Sequence, residues 1–344
     1  MSSTARWPAY VRSTAVLATC VAMAIITAIP VEAADVWFAP FDPLWRSIHG
    51  WPANDYMQLF KPDAPWQTAA RGIKVFQLTR KFAAQGSDND LGVIIKDLSR
   101  RHIALAVSGT PLIASQECGM GVEGYGPRYD MAVLAARLKR LGGTIAYVAL
   151  DEPLYFGHQF NGRPMRSYET RQPIPCHSPI DDLARQAATK MAELHQVFSG
   201  AIVGDVEPVG PPSASSATDL ADWLAAYQAA SGAPFGFVGL DVVWPKSNWP
   251  VDFDTAVATV RKTNIPLGVI YNGTPEDPTD AAWIEDAKGH IQQIESKLGA
   301  QPDIAIFQSW IDRPERTLPE TAPDSFTGLI KAYLQHRHGG SRFD

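Results

Sequence analysis

From residue 34 onward, short apolar runs alternate with longer amphipathic ones, and the alternation does not break. The apolar runs are 35–41, 73–78, 103–108, 144–150, 201–207, 235–243, 266–272 and 303–310. Each is rich in Val, Ile, Phe or Ala and bounded by Gly, Pro or polar residues, which reads as a strand. Their apolar character is nearly continuous rather than alternating, as in parallel sheets covered on both faces. Between them, 130–143 sets Met131, Leu134, Leu138 and Leu141 on one helical stripe and stops on Gly142 and Gly143. Residues 181–200 open on acids and close on a glycine. Further helical stretches occupy 216–232, 252–264, 280–299 and 324–338. The segment 42–72 is less regular, with a short helical piece around Trp66 to Arg71.

Eight strands, each followed by a crossover, are the pattern of a (β/α)8 TIM barrel. A doubly wound open sheet usually carries a Gly-rich phosphate turn after its first strand. Here that position reads FAPFDPLWRSIHGW, with no GxGxxG. The proline- and serine-rich stretch 208–217 falls between a strand and a helix, so no linker divides the chain. One α/β barrel domain over 34–344 is expected.

Residues 1–33 read as a signal peptide outside that fold. Arg6 and Arg12 supply a positive start, 13–30 is an apolar run, and Val31 and Ala33 occupy the small-residue positions of a cleavage site. Cleavage after Ala33 implies a secreted or periplasmic protein with no stable membrane insertion afterwards. Cys20 leaves with the leader, so Cys118 and Cys176 remain, an even pair suited to an oxidising compartment. The net charge of −6 offers no basic stripe for nucleic acid.

In such barrels the chemistry sits where the strands end. The fourth strand ends Asp151-Glu152-Pro153, and the fifth carries Asp205 and Glu207, two apart on one face. The sixth carries Asp241, the seventh ends Tyr271-Asn272, the eighth ends Gln308-Ser309-Trp310, and Asp42 follows the first. So many acids at one rim repel one another unless something uses them. Some can instead cap helices or pair with Lys74 and Arg80, read here as lying at the end of the second strand.

Paired carboxylates at a barrel mouth suit glycosidic-bond cleavage. One protonated acid donates to the leaving oxygen, and one ionised carboxylate attacks or activates water. Trp37, Trp45, Trp51, Trp244, Trp249 and Trp310 are read as lying at or beyond strand ends, where flat rings stack on sugar faces. Glu152 is the expected proton donor, with Glu207 or Asp241 as its partner; a likeness to barrel glycosidases that pair an Asp on strand four with an acid on strand five or six would instead make Asp151 the nucleophile. Asp205, Asp42, Trp37, Lys74, Trp244, Tyr271, Asn272, Gln308 and Trp310 are expected to contact an oligosaccharide or polysaccharide.

With Asp151-Glu152-Pro153 ending strand four, the chain resembles the clan-A glycoside hydrolases, which carry Asn-Glu-Pro there. The resemblance implies that Glu152 is the acid/base and that Asp151 stands where the family's Asn contacts the sugar 2-hydroxyl. Ser309-Trp310 is similar to the strand-eight Trp that floors a sugar subsite in those enzymes. At strand seven the chain departs, with Tyr271-Asn272-Gly273 where the family has its nucleophilic Glu. That departure also admits a non-catalytic carbohydrate-binding or polysaccharide-assembly protein on the same barrel.

No HxH on strand one, no HExxH and no GxSxG occur, so neither a metal nor a cofactor is expected. The loops 109–129 and 153–180 are the longest, neighbour one another in a barrel, and each holds one cysteine. A Cys118–Cys176 disulfide over the mouth is the expectation. Amino-terminal sequencing of exported protein should begin at Ala34; recovery of the intact Met1 form would remove the leader.

Overall fold

The computed structural model describes residues 34–162, 173–210 and 217–339. Eight strands close into a ring: β1 Asp35–Ala39, β2 Ile73–Leu78, β3 Ala104–Gly109, β4 Ile145–Asp151, β5 Ile202–Val209, β6 Val238–Val242, β7 Leu267–Tyr271 and β8 Ile304–Gln308. Every neighbouring pair is parallel, and β8 returns to β1 with Ala39 opposite Gln308. All strand C-termini therefore face one pole.

The pleat has a period of two, so alternate residues point into the ring or out toward the helices. Inside, Trp37, Val75, Ala149, Val206, Phe237 and Ile306 meet in a closed apolar plug. Trp37 contacts Tyr147 and Phe237 with ring centroids 4.9 and 4.8 Å apart. Gly204 accommodates the Phe237 ring, which a Cβ there would strike. Outside, a continuous apolar shell joins the strands to the helices.

Helices form where periodicity and caps agree. The helix Asp88–Arg101 starts on Ser87, whose hydroxyl accepts from Asp90 N at 3.0 Å. Its first turn is acidic and its last turn basic, complementing the helix dipole. Residues 79–102, outside the expected helical stretches, hold two helices, Arg80–Gln85 and Asp88–Arg101. The irregular 42–72 segment holds three short helices, Pro43–Ile48, Tyr56–Phe60 and Gln67–Gly72. Among the described residues no helix is long and apolar enough to cross a membrane.

Three expected site residues lie elsewhere. Trp37 is mid-strand and 1% exposed, a lumen filler rather than a rim platform. Lys74 is the second residue of β2, so it is exposed at the pole opposite the mouth. Tyr271 points outward from β7, and its hydroxyl donates to Glu295 Oε1 at 2.9 Å among Phe307 and Tyr333. The plug makes Trp37→Ala a stability variant. It should cost about 3–5 kcal/mol, read as a lower denaturation midpoint at unchanged slope.

Candidate active site

The site is built around the end of β4. Tyr147 and Ala149 point into the ring, so Asp151 does too, above the apolar plug. Glu152 then donates its N–H to Val206 O at 3.0 Å, carrying the ladder one residue further. It adopts φ 51°, a left-handed conformation that glycine favours and other residues enter at a cost. Pro153 ends the strand, and Tyr155–Gln159 forms a π-helical turn, a geometry often found at functional sites.

Glu207 comes from the outer face of β5, two residues beyond Asp205 on that face. Its carboxylate accepts from Leu154 N at 2.7 Å and Tyr155 N at 3.0 Å, tying down the turn that follows Glu152. Asp205 accepts from the Trp223 indole N–H at 2.7 Å, between sheet and helix. Asp42 caps Pro43–Ile48 by accepting from Trp45 N at 3.0 Å, and also accepts from the Thr79 hydroxyl at 2.6 Å. These three acids are corrections to the expected mouth cluster: each is engaged in holding backbone or a neighbouring side chain.

Asp241 behaves differently. On β6, Val238, Leu240 and Val242 join the outer shell, leaving Gly239 and Asp241 on the inner face. Asp241 thus shares the inner face with Asp151, and both act electrostatically on Glu152 at the end of β4. Gln308 follows Ile304 and Ile306 on the inner face of β8 and is half-buried, as is Trp310 just beyond it.

The remaining expected contacts are largely consumed by packing. Asn272 is buried; its Oδ1 accepts from the Trp244 indole N–H at 2.6 Å, and its carbonyl oxygen lies 2.7 Å from His290 Nδ1. Trp244 lies flat on His290, with centroids 3.7 Å apart, and meets Trp249 edge-on. Trp244, Trp249 and Asn272 thus form a plug above β6 and β7. Trp45 and Trp51 are half-buried with His49 stacked between them, at 5.1 and 4.6 Å.

The described parts of two loops meet beside the end of β4. In the third, Leu112–Ile113 pairs with Tyr125–Gly126 in a short parallel ribbon. Gly124 has φ 74°, and a Cβ on it would lie 2.6 Å from Asp151 O, so only glycine lets the loop sit this close. Cys118 and Cys176 are bonded, with Cα atoms 5.1 Å apart, and Gly119 N donates to Ile174 O at 2.8 Å. The fourth loop is bound in turn, Ser178 N donating to Gly157 O at 2.9 Å.

Burial dominates the electrostatics. Glu152 is 8% exposed, and burial pushes its carboxyl well above the usual range. Glu123, Asp241, Asp151 and Glu207 push the same way, in that order. Asp151 is raised by burial to about 6, with the Arg80 guanidinium pulling it back. Arg80 itself is held by Asp130, at 3.5 Å, which also accepts from buried Lys190 at 2.8 Å and Thr110 at 2.6 Å. Burial raises Glu207 and Asp205 as well, offset by the N–H groups they accept from. Neither Glu123 nor the Asp130–Lys190 pair is among the expected site residues. Glu123 had one visible signal, a carboxylate set among glycines in the third loop.

Fold and site together define a (β/α)8 barrel with acidic residues at the C-terminal ends of its strands. No protein-family model matches the sequence, and no curated protein matches it. Among solved structures, a psychrophilic glycoside hydrolase family 10 endo-beta-1,4-xylanase superposes with a TM-score of 0.52 at 11% identity, covering 87% of this chain and 96% of that one. A family 10 structure from Paenibacillus barcinonensis gives 0.47 at 11% identity, covering 88% and 96%. The first likeness shows the fold, a (β/α)8 barrel. Among the described residues no group of three or more His, Cys, Asp or Glu is arranged to hold a metal.

Glu207→Ala should free the Leu154 and Tyr155 amides inside the protein and lower stability by about 2–3 kcal/mol. Glu207→Gln, which keeps an acceptor, should lose less. Hydrogen exchange at those two amides measures the difference.

Proposed function

We propose that the protein is an exported glycoside hydrolase in which Glu152 donates the proton to the leaving oxygen. The observation that carries the reading is the position of Glu152: it is buried where β4 of the barrel ends, and that burial, helped by Glu123, Asp241, Asp151 and Glu207, favours its protonated form. A carboxyl held well above the usual range is suited to act as a general acid.

Asp241 is the ionised partner across the mouth. Its place on the inner face of β6 substitutes for the strand-seven Glu absent here. Asp151, steadied by Arg80, accepts a sugar hydroxyl. Gln308 and Trp310 complete the floor. The substrate is an oligo- or polysaccharide, and xylan belongs in the first panel because the barrel matches a xylanase. The leader reading and the Cys118–Cys176 bond support export to an oxidising compartment.

A second reading, a non-catalytic glycan binder, is favoured by Asn272, which is held by Trp244 where clan-A enzymes carry their nucleophile. One comparison separates the two. On a polysaccharide panel that includes xylan, Glu152→Gln should lower turnover by roughly 10²–10⁴-fold while glycan affinity persists. No reducing-end release by the parent protein, with affinity intact, would establish the binder. The pH profile has a defined sign. Asp151 must be ionised, so kcat/KM falls as pH drops through about 6. Glu152 must keep its proton, so kcat/KM falls again on the alkaline side. Asp241→Asn removes the ionised partner and should itself lower kcat/KM by roughly 10²–10⁴-fold.

A further inference from the structure

The β8–β1–β2 side of the ring ends differently from the acidic side. Ile306, Trp37 and Val75 fill the lumen there, so Gln308, Ala39 and Gln77, two residues further along, face inward as well. Ala39 lies opposite Gln308 in the parallel register, and the pairing of Phe38 with Phe76 puts Gln77 on the other side of Ala39. The three form a row at the C-terminal ends of their strands, two carboxamides with a methyl between them. Gln77 is 8% exposed, yet its side-chain amide has no hydrogen-bond partner among the described residues. The half-buried Gln308 amide has none either. Neither is among the polar groups sealed off without a partner, so both amides meet open space. Other polar side chains at strand ends are engaged with the protein: Ser108 Oγ accepts from Arg80 N at 2.9 Å, and Asn272 holds Trp244. A largely buried carboxamide without partners costs stability. The layer beneath Gln77 is apolar, so packing does not call for glutamine there.

We propose that Gln77 and Gln308, on either side of Ala39, form a carboxamide subsite for one uncharged sugar residue of the glycan. The inference rests on the oligo- or polysaccharide reading above; it adds Gln77 and the charge class of the sugar. Each carboxamide offers two N–H donors and a carbonyl acceptor. That set suits sugar hydroxyls, which both donate and accept. β8 and β2 are two strand spacings apart, about 10 Å, and the Ala39 methyl takes up little of the space between. The charges around the ring favour a neutral ligand. Asp151 and Asp241 face inward on other strands, so a uronate brought here meets like charge. Arg80, the cation just beyond β2, is already held by Asp130 at 3.5 Å.

The test reads binding without turnover, by calorimetry on Glu152→Gln protein with xylohexaose, cellohexaose, mannohexaose, maltohexaose and hexagalacturonate. At least one neutral chain should bind. Adding Gln77→Met, which keeps the side chain's length and removes its polar atoms, should weaken that chain roughly 3–10-fold. Gln308→Met should do the same. Because the Gln77 amide serves no protein partner, Gln77→Met should leave the thermal midpoint level or raise it. A lower midpoint with unchanged affinity marks Gln77 as structural and overturns the proposal. Unchanged affinity at a level midpoint overturns it too, as does tighter binding of hexagalacturonate than of every neutral chain, or no binding of any. A loss in Gln77→Met without one in Gln308→Met overturns the part given to Gln308. Should Gln77→Met not fold, Gln77→Leu replaces it under the same criteria. Hydrolysis by the parent protein is a separate result. Affinity that depends on Gln77 without reducing-end release removes the glycosidase and leaves the subsite, while hydrolysis with KM unmoved by Gln77→Met does the reverse.

Discussion

Closing eight parallel strands into a ring leaves each strand side chain two destinations, the lumen or the layer beneath the helices. The pleat decides which, and a shift of one residue sends a side chain from one to the other. On β4 and β6 the phase turns Asp151 and Asp241 inward. On β5 it turns Asp205 and Glu207 outward, although Val206 between them reaches the lumen. The composition of the mouth follows from that parity, and so does the division of labour among the acids.

The outward acids still serve the site. A buried carboxylate without partners is strongly disfavoured. Glu207 meets that cost with two backbone N–H groups, and those are the groups left open where β4 gives way to its π-helical turn. The carboxylate therefore anchors the peptide that carries Glu152. Asp42 does comparable work beside β1, joining the start of Pro43–Ile48 to Thr79, which caps Arg80–Gln85. Through that helix start it supports the backbone from which Arg80 reaches toward Asp151.

All eight strands were legible in the sequence to within a few residues, because each is a compact apolar run with clear borders. The phase of each strand was not. When both faces are buried, both carry apolar residues, and nothing in Val36-Trp37-Phe38 says which ring enters the lumen. Asp205, Glu207 and Tyr271 were misplaced for that reason, and Trp37 because it lies mid-strand rather than at the strand's end. Lys74 was misplaced along the strand instead, being near the start of β2 rather than its end. The two long loops and their cysteines were legible because barrel adjacency fixes which loops are neighbours. Glu123 was not, since its position depends on glycine turns at Gly121 and Gly124 and on close approach to the Asp151 carbonyl.

The left-handed backbone at Glu152 sets scaffold hardiness against chemistry at a single peptide unit. A side chain there costs about 1–2 kcal/mol that glycine does not incur. Directed evolution for heat resistance alone would drift toward glycine at this position and lose the acid in doing so. A tougher barrel obtained that way would be an inert one.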